Sequence, residues 1–139
     1  MLDGMALDRI QRSYPDLWHA NQRQSDSGFR WPGGESYREF RCRCLTAVRT
    51  LTRRHPRGRI AVVTHAGVIS QLVGFLTGTS PAQWERYRVG NTALTEIEWE
   101  RSHGRVLRFD DQHHLPGSAP ERVGPAEHPD PFSRGVRCA

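Results

Sequence analysis

The sequence predicts an α/β fold in which helices cover both faces of a mixed sheet. Two observations carry this prediction: a firm amphipathic helix over residues 36–54, and a short, continuously apolar run over residues 60–64 that leads directly into a second helix. A β-branched apolar run of this length is typical of a strand buried on both faces, as in a parallel sheet. An alternating segment near residues 92–109 adds an antiparallel hairpin at the sheet edge.

Composition limits the size of the domain and the kinds of partner. A chain of 139 residues has room for a single core. Its formal net charge is +5 and all 20 basic residues are arginine, but they are scattered and form no stripe interleaved with aromatic residues, so no nucleic-acid surface is predicted. No apolar run approaches the roughly 20 residues that span a bilayer, and no signal peptide is evident, which together predict a cytoplasmic protein without a membrane contact.

The three cysteines do not suggest a metal site. Cys42 and Cys44 lie two apart on a predicted helix and so point to different faces, while Cys138 is far away in the sequence. Because a zinc site needs about four ligands at workable spacing, no metal site is predicted.

Residues 1–34 are interpreted as a cap segment followed by a loop. A short amphipathic pattern through Leu7 and Ile10 ends at Pro15, and a second short helix opens at Leu17. Residues 21–34 are polar and then rich in proline and glycine, which predicts a loop.

The firm helix begins with a capping box. Ser36 is followed three residues later by Glu39, and apolar residues then recur at three- and four-residue spacing as far as Leu51. The segment from His55 through Pro56 ends this helix and turns the chain.

The strand predicted over residues 60–64 leads to His65 and then to a helix that ends at Gly78. His65 therefore stands at the carboxyl end of a strand and at the amino end of a helix. Unsatisfied N–H groups and the positive end of the helix dipole meet there, and an imidazole adds a further hydrogen bond or a positive charge. This arrangement predicts a site for an anion.

The rest of the chain completes the sheet and then loses its apolar character. Ser80 and Pro81 open a short helix, residues 92–99 alternate, and a turn at residues 102–104 leads to a second strand from Val106 to Phe109. Residues 35–115 are thus interpreted as the α/β core. Residues 116–139 hold five of the nine prolines and few large apolar groups, which predicts a disordered tail.

Several short motifs occur together in a recognisable order. They are Asp3-Gly4 through Tyr14-Pro15, Pro32-Gly33-Gly34-Glu35-Ser36-Tyr37 before a helix that carries Arg43, Val62-Val63-Thr64-His65-Ala66-Gly67-Val68-Ile69, Gly90-Asn91-Thr92, and the closing segment Asp111 to Leu115. In this order and spacing, residues 3–115 resemble the carboxyl-terminal half of the histidine phosphatase superfamily, also called the phosphoglycerate mutase-like family.

The resemblance implies a fold, a reaction and a set of site residues. The fold is a truncated three-layer α/β/α arrangement with a mixed, mostly parallel sheet whose first strand is missing. The reaction is the hydrolysis of a phosphomonoester, a small phosphorylated metabolite, through a phosphohistidine and without a cofactor. By match, His65 is the second catalytic histidine and binds phosphate, and the N–H of Ala66 is a further phosphate donor.

The family's nucleophile is not assigned to any residue of this chain. It is a first histidine within an Arg-His-Gly motif after the first strand, whereas the only Arg-His pair here, Arg54-His55, precedes Pro56 at a helix end. The family's acid normally precedes the segment matched by Asp3. Glu35 is a candidate substitute proton donor, whereas the resemblance implies a structural role for the glutamate of the Gly-Glu-Ser segment. We therefore expect the chain to be inactive alone; the substrate, and the choice between phosphatase and mutase, stay open.

Two functions from different classes are compatible with the sequence. One is a phosphatase that is complete only with upstream sequence, and the other is a non-catalytic module that binds a phosphorylated ligand or a protein. A mis-called start, a true fragment and a half-domain completed by a partner all account for the missing part. In each case the apolar edge of residues 60–64 is left open, which predicts self-association through that edge.

Overall fold

The computed structural model describes residue 2, residues 4–100 and residues 103–117, without the side chains of Glu100 and His103. Five helices and two strands occur in this part of the chain. They are α1 (Leu7–Ser13), α2 (Pro15–Arg23), α3 (Tyr37–Arg54), α4 (Ala66–Leu76), a 3-10 helix (Pro81–Tyr87), β1 (Leu94–Glu100) and β2 (His103–Asp111). The protein is therefore a mixed helix and strand structure. The disordered tail predicted from residue 116 lies almost wholly outside the described residues.

Helix α3 begins and ends where its local sequence predicts. The Ser36 hydroxyl accepts a hydrogen bond from the Glu39 N–H, and the Glu39 carboxylate accepts one from the Ser36 N–H, so both halves of the capping box are present. The N–H of His55 bonds to the Leu51 carbonyl and closes the last turn. Local hydrogen bonds thus define the first residue of this helix.

Helix α4 is the central element of the core. Its residues from Ser70 to Leu76 are all buried, and it packs against α3, the 3-10 helix and β2. Two clusters meet on it: one includes Leu45 of α3, and the other includes Tyr87 of the 3-10 helix and Phe109 of β2. A helix that is apolar around most of its surface requires cover on several sides, and these three elements supply it.

The two strands form an antiparallel hairpin whose inner face packs on the helices. Ile97, Trp99 and Val106 lie against the cluster that contains Leu45. The predicted hairpin is confirmed, although β2 begins at His103 rather than at Val106 and the register is irregular near Glu96. The turn predicted at residues 102–104 is wrong for residues 103 and 104, because both belong to β2.

Residues 60–64 depart from the sequence prediction. They form no strand and lie exposed, and no backbone hydrogen bond joins them to another described residue. The prediction of a strand buried on both faces is wrong for this structure. The physical reason is that a strand exists only with a paired neighbour, and the described residues place the one hairpin elsewhere. The sheet that is present is two-stranded and antiparallel.

The amino-terminal segment is more helical than its composition indicates. Helix α2 continues to Arg23, so the loop predicted from residue 21 begins three residues later, at Gln24, which has a left-handed conformation. The Tyr37 hydroxyl donates a hydrogen bond to the Asn21 side chain and thereby ties α2 to the start of α3. The expected opening of the 3-10 helix is confirmed, since the Ser80 hydroxyl accepts from the Ala82 N–H and Pro81 is its first residue.

Candidate functional site

His65 is the last residue before α4 and has extended backbone geometry, with φ −93° and ψ 153°. Its carbonyl accepts hydrogen bonds from the N–H groups of Val68 and Ile69. Its imidazole is exposed, and no side chain of the described residues caps this end of α4. The amino end of the helix, with Ala66 as its first residue, is therefore accessible beside an exposed imidazole. Such an end favours an anion because N–H groups and the helix dipole both point outward.

Helix α3 brings aromatic and charged groups next to this helix end. A β-carbon at Gly67 would lie 3.7 Å from Cε1 of Phe40, so the ring packs directly on the backbone of the first turn of α4. The Arg43 guanidinium lies over the same ring, with Cζ 5.1 Å from its centroid. Phe40 therefore contacts both the first turn of α4 and the Arg43 guanidinium.

Glu35, the predicted substitute proton donor, is engaged by that arginine. Its carboxylate accepts two hydrogen bonds from Arg43, one at 2.5 Å from Nη2 and one at 3.1 Å from Nε. These hydrogen bonds, together with the carboxylate charge, raise the pKa of Arg43. A carboxylate held in this bidentate way acts as an acceptor. The contact favours a positioning role for Glu35, holding Arg43 over Phe40, and the proton-donor role stays a prediction.

The loop at residues 90–92 is held by the end of the hairpin. The Gly90 N–H and the Gln112 side chain both donate to Oδ1 of Asp110, at 2.7 and 3.0 Å. Asp110 and Thr92 have positive φ values of 54° and 61°, which is uncommon for residues with a side chain. The loop lies beside α4, because the preceding Val89 packs in the cluster formed around Val73.

Asp111 and His113 form a contact that the sequence does not reveal. The Asp111 carboxylate is buried and accepts from the backbone N–H of His113 at 2.9 Å, from its Nδ1 at 2.8 Å and from Nη1 of Arg108 at 2.9 Å. The hydrogen bonds from His113, followed by the contact with Arg108, lower the pKa of Asp111 from 3.8 to about 2. The Asp111 carboxylate thus fixes the closing segment that resembles the family. In the sequence, only the two-residue spacing of Asp111 and His113 indicates this contact.

A buried arginine fixes α4 relative to α3. Arg41 is 6% exposed; its Nε donates to Oε1 of Gln71 at 2.7 Å and its Nη1 donates to the Thr79 carbonyl at 2.5 Å. Gln71 in turn donates to the Pro81 carbonyl at 2.9 Å. Desolvation lowers the pKa of Arg41 to about 10, still far above neutrality, so the guanidinium is charged. These bonds hold together α3, α4 and the 3-10 helix, and with them the position of His65.

His55, which follows Arg54 in the only Arg-His pair of the sequence, does not lie in a site that resembles the family's nucleophile position. His55 follows the last residue of α3, is exposed, and precedes a turn closed by a hydrogen bond from the Gly58 N–H to its carbonyl. Its place at a helix end agrees with the sequence argument against it as a nucleophile. Within the described ranges, no group of three or more histidine, cysteine or acidic side chains is arranged to hold a metal ion. Each helix there is also too short or too polar to cross a bilayer.

Comparison with known proteins identifies the family. Residues 1–112 match the histidine phosphatase superfamily (branch 1), which is most of the chain. The chain belongs to the histidine phosphatase superfamily. Comparisons with curated proteins and with solved structures gave no match.

Proposed function

We propose that this chain carries the phosphate-binding part of a phosphomonoesterase site, in which a phosphoryl group passes through a phosphohistidine. The observation that supports this most directly is the exposed imidazole of His65 beside the uncapped amino end of α4. His65 acts as the second histidine and Ala66 supplies a backbone N–H. The ligand is a small phosphorylated metabolite, and no metal or other cofactor takes part.

Phosphoryl transfer requires hydrogen-bond donors and positive charge around the phosphoryl oxygens. Negative charge is spread over these oxygens in the transition state, and preorganised groups that face them lower the barrier. His65 and the first turn of α4 supply donors, and Arg43 adds a cation whose position depends on Phe40 and Glu35. In this arrangement Glu35 serves the site through Arg43. We rank its role as proton donor below that positioning role.

The nucleophile is the part that these 139 residues do not supply. The sequence contains no Arg-His-Gly motif, and its single Arg-His pair, Arg54-His55, is followed by Pro56. A phosphohistidine requires an activated histidine in line with the phosphorus atom, which no described residue is assigned to provide. The proposal is therefore that hydrolysis needs a second segment that carries the nucleophile, and that the chain alone binds phosphate without turnover.

The same proposal extends to the complete fold and to the cellular location of the protein. In the full family fold, residues 60–64 would be one parallel strand of a sheet covered by helices in three layers. The apolar, β-branched composition of these residues supports this. The proposed cytoplasmic location rests on the composition alone.

The binding half of the proposal is tested by titrating the protein with inorganic phosphate and following backbone amides by NMR. We expect saturable shifts of the Ala66 and Gly67 amides, absent in His65→Ala. His55→Ala is the matched control, since it removes an exposed histidine at another helix end and should leave the shifts unchanged. Equal shifts in the His65→Ala protein, or no shifts in the parent protein, would contradict the proposed phosphate site.

The catalytic half has a separate test. Purified protein should release no phosphate from p-nitrophenyl phosphate above background, and turnover that His65→Ala abolishes would overturn the claim that the nucleophile is missing. Sequencing the DNA upstream of the first codon separates an enzyme from a binding module. An in-frame Leu-x-Arg-His-Gly-x-Thr-like segment supports the phosphatase, whereas stop codons contradict it.

A further inference from the structure

The closing segment after β2 carries an imidazole that is held by a buried carboxylate. Oδ1 of Asp111 lies 2.8 Å from Nδ1 of His113 and also accepts the His113 backbone N–H at 2.9 Å. Oδ2 of Asp111 accepts from Nη1 of Arg108 at 2.9 Å. The Asp111 side chain is 8% exposed, whereas the His113 side chain is 57% exposed. One nitrogen of this imidazole is therefore fixed to the protein, and the rest of the ring is accessible.

This contact determines which ring nitrogen is available to a ligand. The hydrogen bonds from His113, and then the contact with Arg108, lower the pKa of Asp111 to about 2, so its carboxylate is ionised near neutral pH and can only accept. Nδ1 of His113 must then carry the proton, which leaves Nε2 as the nitrogen that meets a ligand. Carboxylates orient histidines in the same way in metal sites and in catalytic triads.

The fixed imidazole is more than the end of the strand requires. The Asp111 carboxylate already accepts a backbone N–H and a guanidinium N–H, and the backbone bond alone forms the turn that follows β2. His114 provides a comparison, because its imidazole is also exposed and makes no side-chain hydrogen bond to another described residue. Of two adjacent exposed histidines, the protein orients His113 and leaves His114 unoriented.

The packing of the hairpin shows at which end of α4 this imidazole lies. A β-carbon on Gly104, at the beginning of β2, would lie 2.7 Å from Cδ2 of Leu76, the last residue of α4. Farther along β2, Phe109 packs in one cluster with Val73. The strand therefore runs from the carboxyl end of α4 toward its amino end.

The continuation of β2 reaches the end of α4 at which His65 lies. His65 precedes Val73 by eight residues, which corresponds to about 12 Å along a helix axis. His113 follows Phe109 by four residues, and an extended chain of this length spans at most about 13 Å. The two distances are similar, so the strand is long enough to bring His113 to the same end of the helix as His65.

The loop of residues 90–92 supports this placement. Val89, just before the loop, packs on the same cluster as Ile69, which belongs to the first turn of α4. The Gly90 N–H then donates to Oδ1 of Asp110 at 2.7 Å. The end of β2 is thereby bonded to a loop that begins beside the first turn of α4.

We propose that His113 is a further phosphate-binding residue, which contacts the ligand through Nε2 from the side of the hairpin while His65 and the Ala66 N–H contact it from α4. Asp111 is then a positioning residue, because it acts only through His113. The role of His113 rests on the proposed function and adds a third group to the same site. In its charged form the imidazole donates from both nitrogens, one to Asp111 and one to a phosphoryl oxygen. A donor that is oriented before binding loses little freedom when the ligand binds.

Titration with inorganic phosphate, followed through the Ala66 and Gly67 amides by NMR, tests the role of His113. We expect His113→Ala to raise the dissociation constant at least about tenfold, which is the loss expected for one hydrogen bond to a charged group. His114→Ala is the matched control and should leave the constant unchanged. Both positions are exposed, so the variants should fold, which circular dichroism verifies.

The same titration separates the two proposals. Equal dissociation constants for the parent and His113→Ala would overturn the role of His113 and leave the site at His65 intact. A parent whose Ala66 and Gly67 amides do not respond to phosphate would contradict the proposed function, and the role of His113 would fail with it.

The positioning role of Asp111 is tested by the nitrogen NMR shifts of the His113 ring, which report where the proton lies. In the neutral ring of the parent we expect the proton on Nδ1, and we expect Nε2 to respond to phosphate. Asp111→Asn keeps an oxygen for the His113 backbone N–H but should give a mixture of the two tautomers. Phosphate binding should then weaken by about threefold, because the ring must be ordered on binding. A parent ring with its proton on Nε2, or an Nε2 that phosphate does not shift, would overturn the proposal.

Discussion

Helix α4 and the segment before it are both apolar and are separated only by His65, yet they have opposite surroundings. Residues from Ser70 to Leu76 are all buried, whereas residues 60–64 are all exposed. Helix α4 satisfies its own backbone groups and needs only side-chain cover, which α3, the 3-10 helix and β2 provide. A strand needs a neighbour to exist at all. Of these two apolar regions, only the helix is buried, because a helix satisfies its own backbone hydrogen bonds and a strand does not.

The first way to test this comparison is to remove one apolar side chain from each region. Leu45→Ala, in the core against α4, should lower the free energy of unfolding by about 2–5 kcal/mol because it loses buried area and leaves a cavity. Val63→Ala, in the exposed segment, should change it by less than about 0.5 kcal/mol. Urea unfolding of dilute protein measures both. A large cost for Val63→Ala would mean that the segment is covered within the monomer.

The second contrast uses two arginines of α3. Arg41→Met should cost about 1–3 kcal/mol, because the Gln71 oxygen and the Thr79 carbonyl lose their charged donor. Arg43→Met breaks an exposed pair with Glu35 and should cost at most about 1 kcal/mol. Both are read from chemical unfolding midpoints. If Arg41→Met were neutral or stabilising, the desolvation of its guanidinium would outweigh its hydrogen bonds.

The third contrast concerns the two helix beginnings. Ser36→Ala removes the hydroxyl that accepts from Glu39 and should destabilise the protein by about 1 kcal/mol. Glu39→Gln is the control, since an amide oxygen can still accept from the Ser36 N–H. Thermal unfolding of the two variants checks the order. A Ser36→Ala protein as stable as the parent would show that α3 is fixed by packing instead.

The smallest effect is expected at the other helix beginning, where no cap exists. His65→Asn places a good capping side chain before α4 and should raise the free energy of unfolding by about 0.5 kcal/mol. The same variant should lose the phosphate-dependent NMR shifts if His65 binds phosphate. Stability and ligand binding would then change in opposite directions, as expected of a residue retained for function. A variant that is less stable than the parent would contradict the cap argument.

Local features account for what the sequence predicts well. The capping box of α3 and the proline opening of the 3-10 helix involve residues within one turn of each other, and both are confirmed. The hairpin follows from alternation within one segment, and only its exact ends differ. The family is also predicted correctly, because its motifs are short and ordered.

Features that depend on distant residues are the ones that the sequence hides. Residues 60–64 have the composition of a strand, but strand formation depends on a neighbour that composition cannot supply. Arg41 is one of several arginines on α3, and its burial follows only from the approach of Gln71, thirty residues later. The same holds for the site: His65 is found from its local pattern, while the contact of Phe40 with the first turn of α4 requires the packing of two helices.

Gly74 has a consequence for how this family member can change over time. A β-carbon there would lie 2.9 Å from Nη2 of Arg41, whose guanidinium is held in place by Gln71 and Thr79. An alanine in the middle of a helix ordinarily stabilises it, but here it would displace a tethered charge. The two positions are therefore expected to covary: relatives with alanine or a larger residue at position 74 should have a shorter, uncharged residue at position 41, and the arginine should occur only together with glycine.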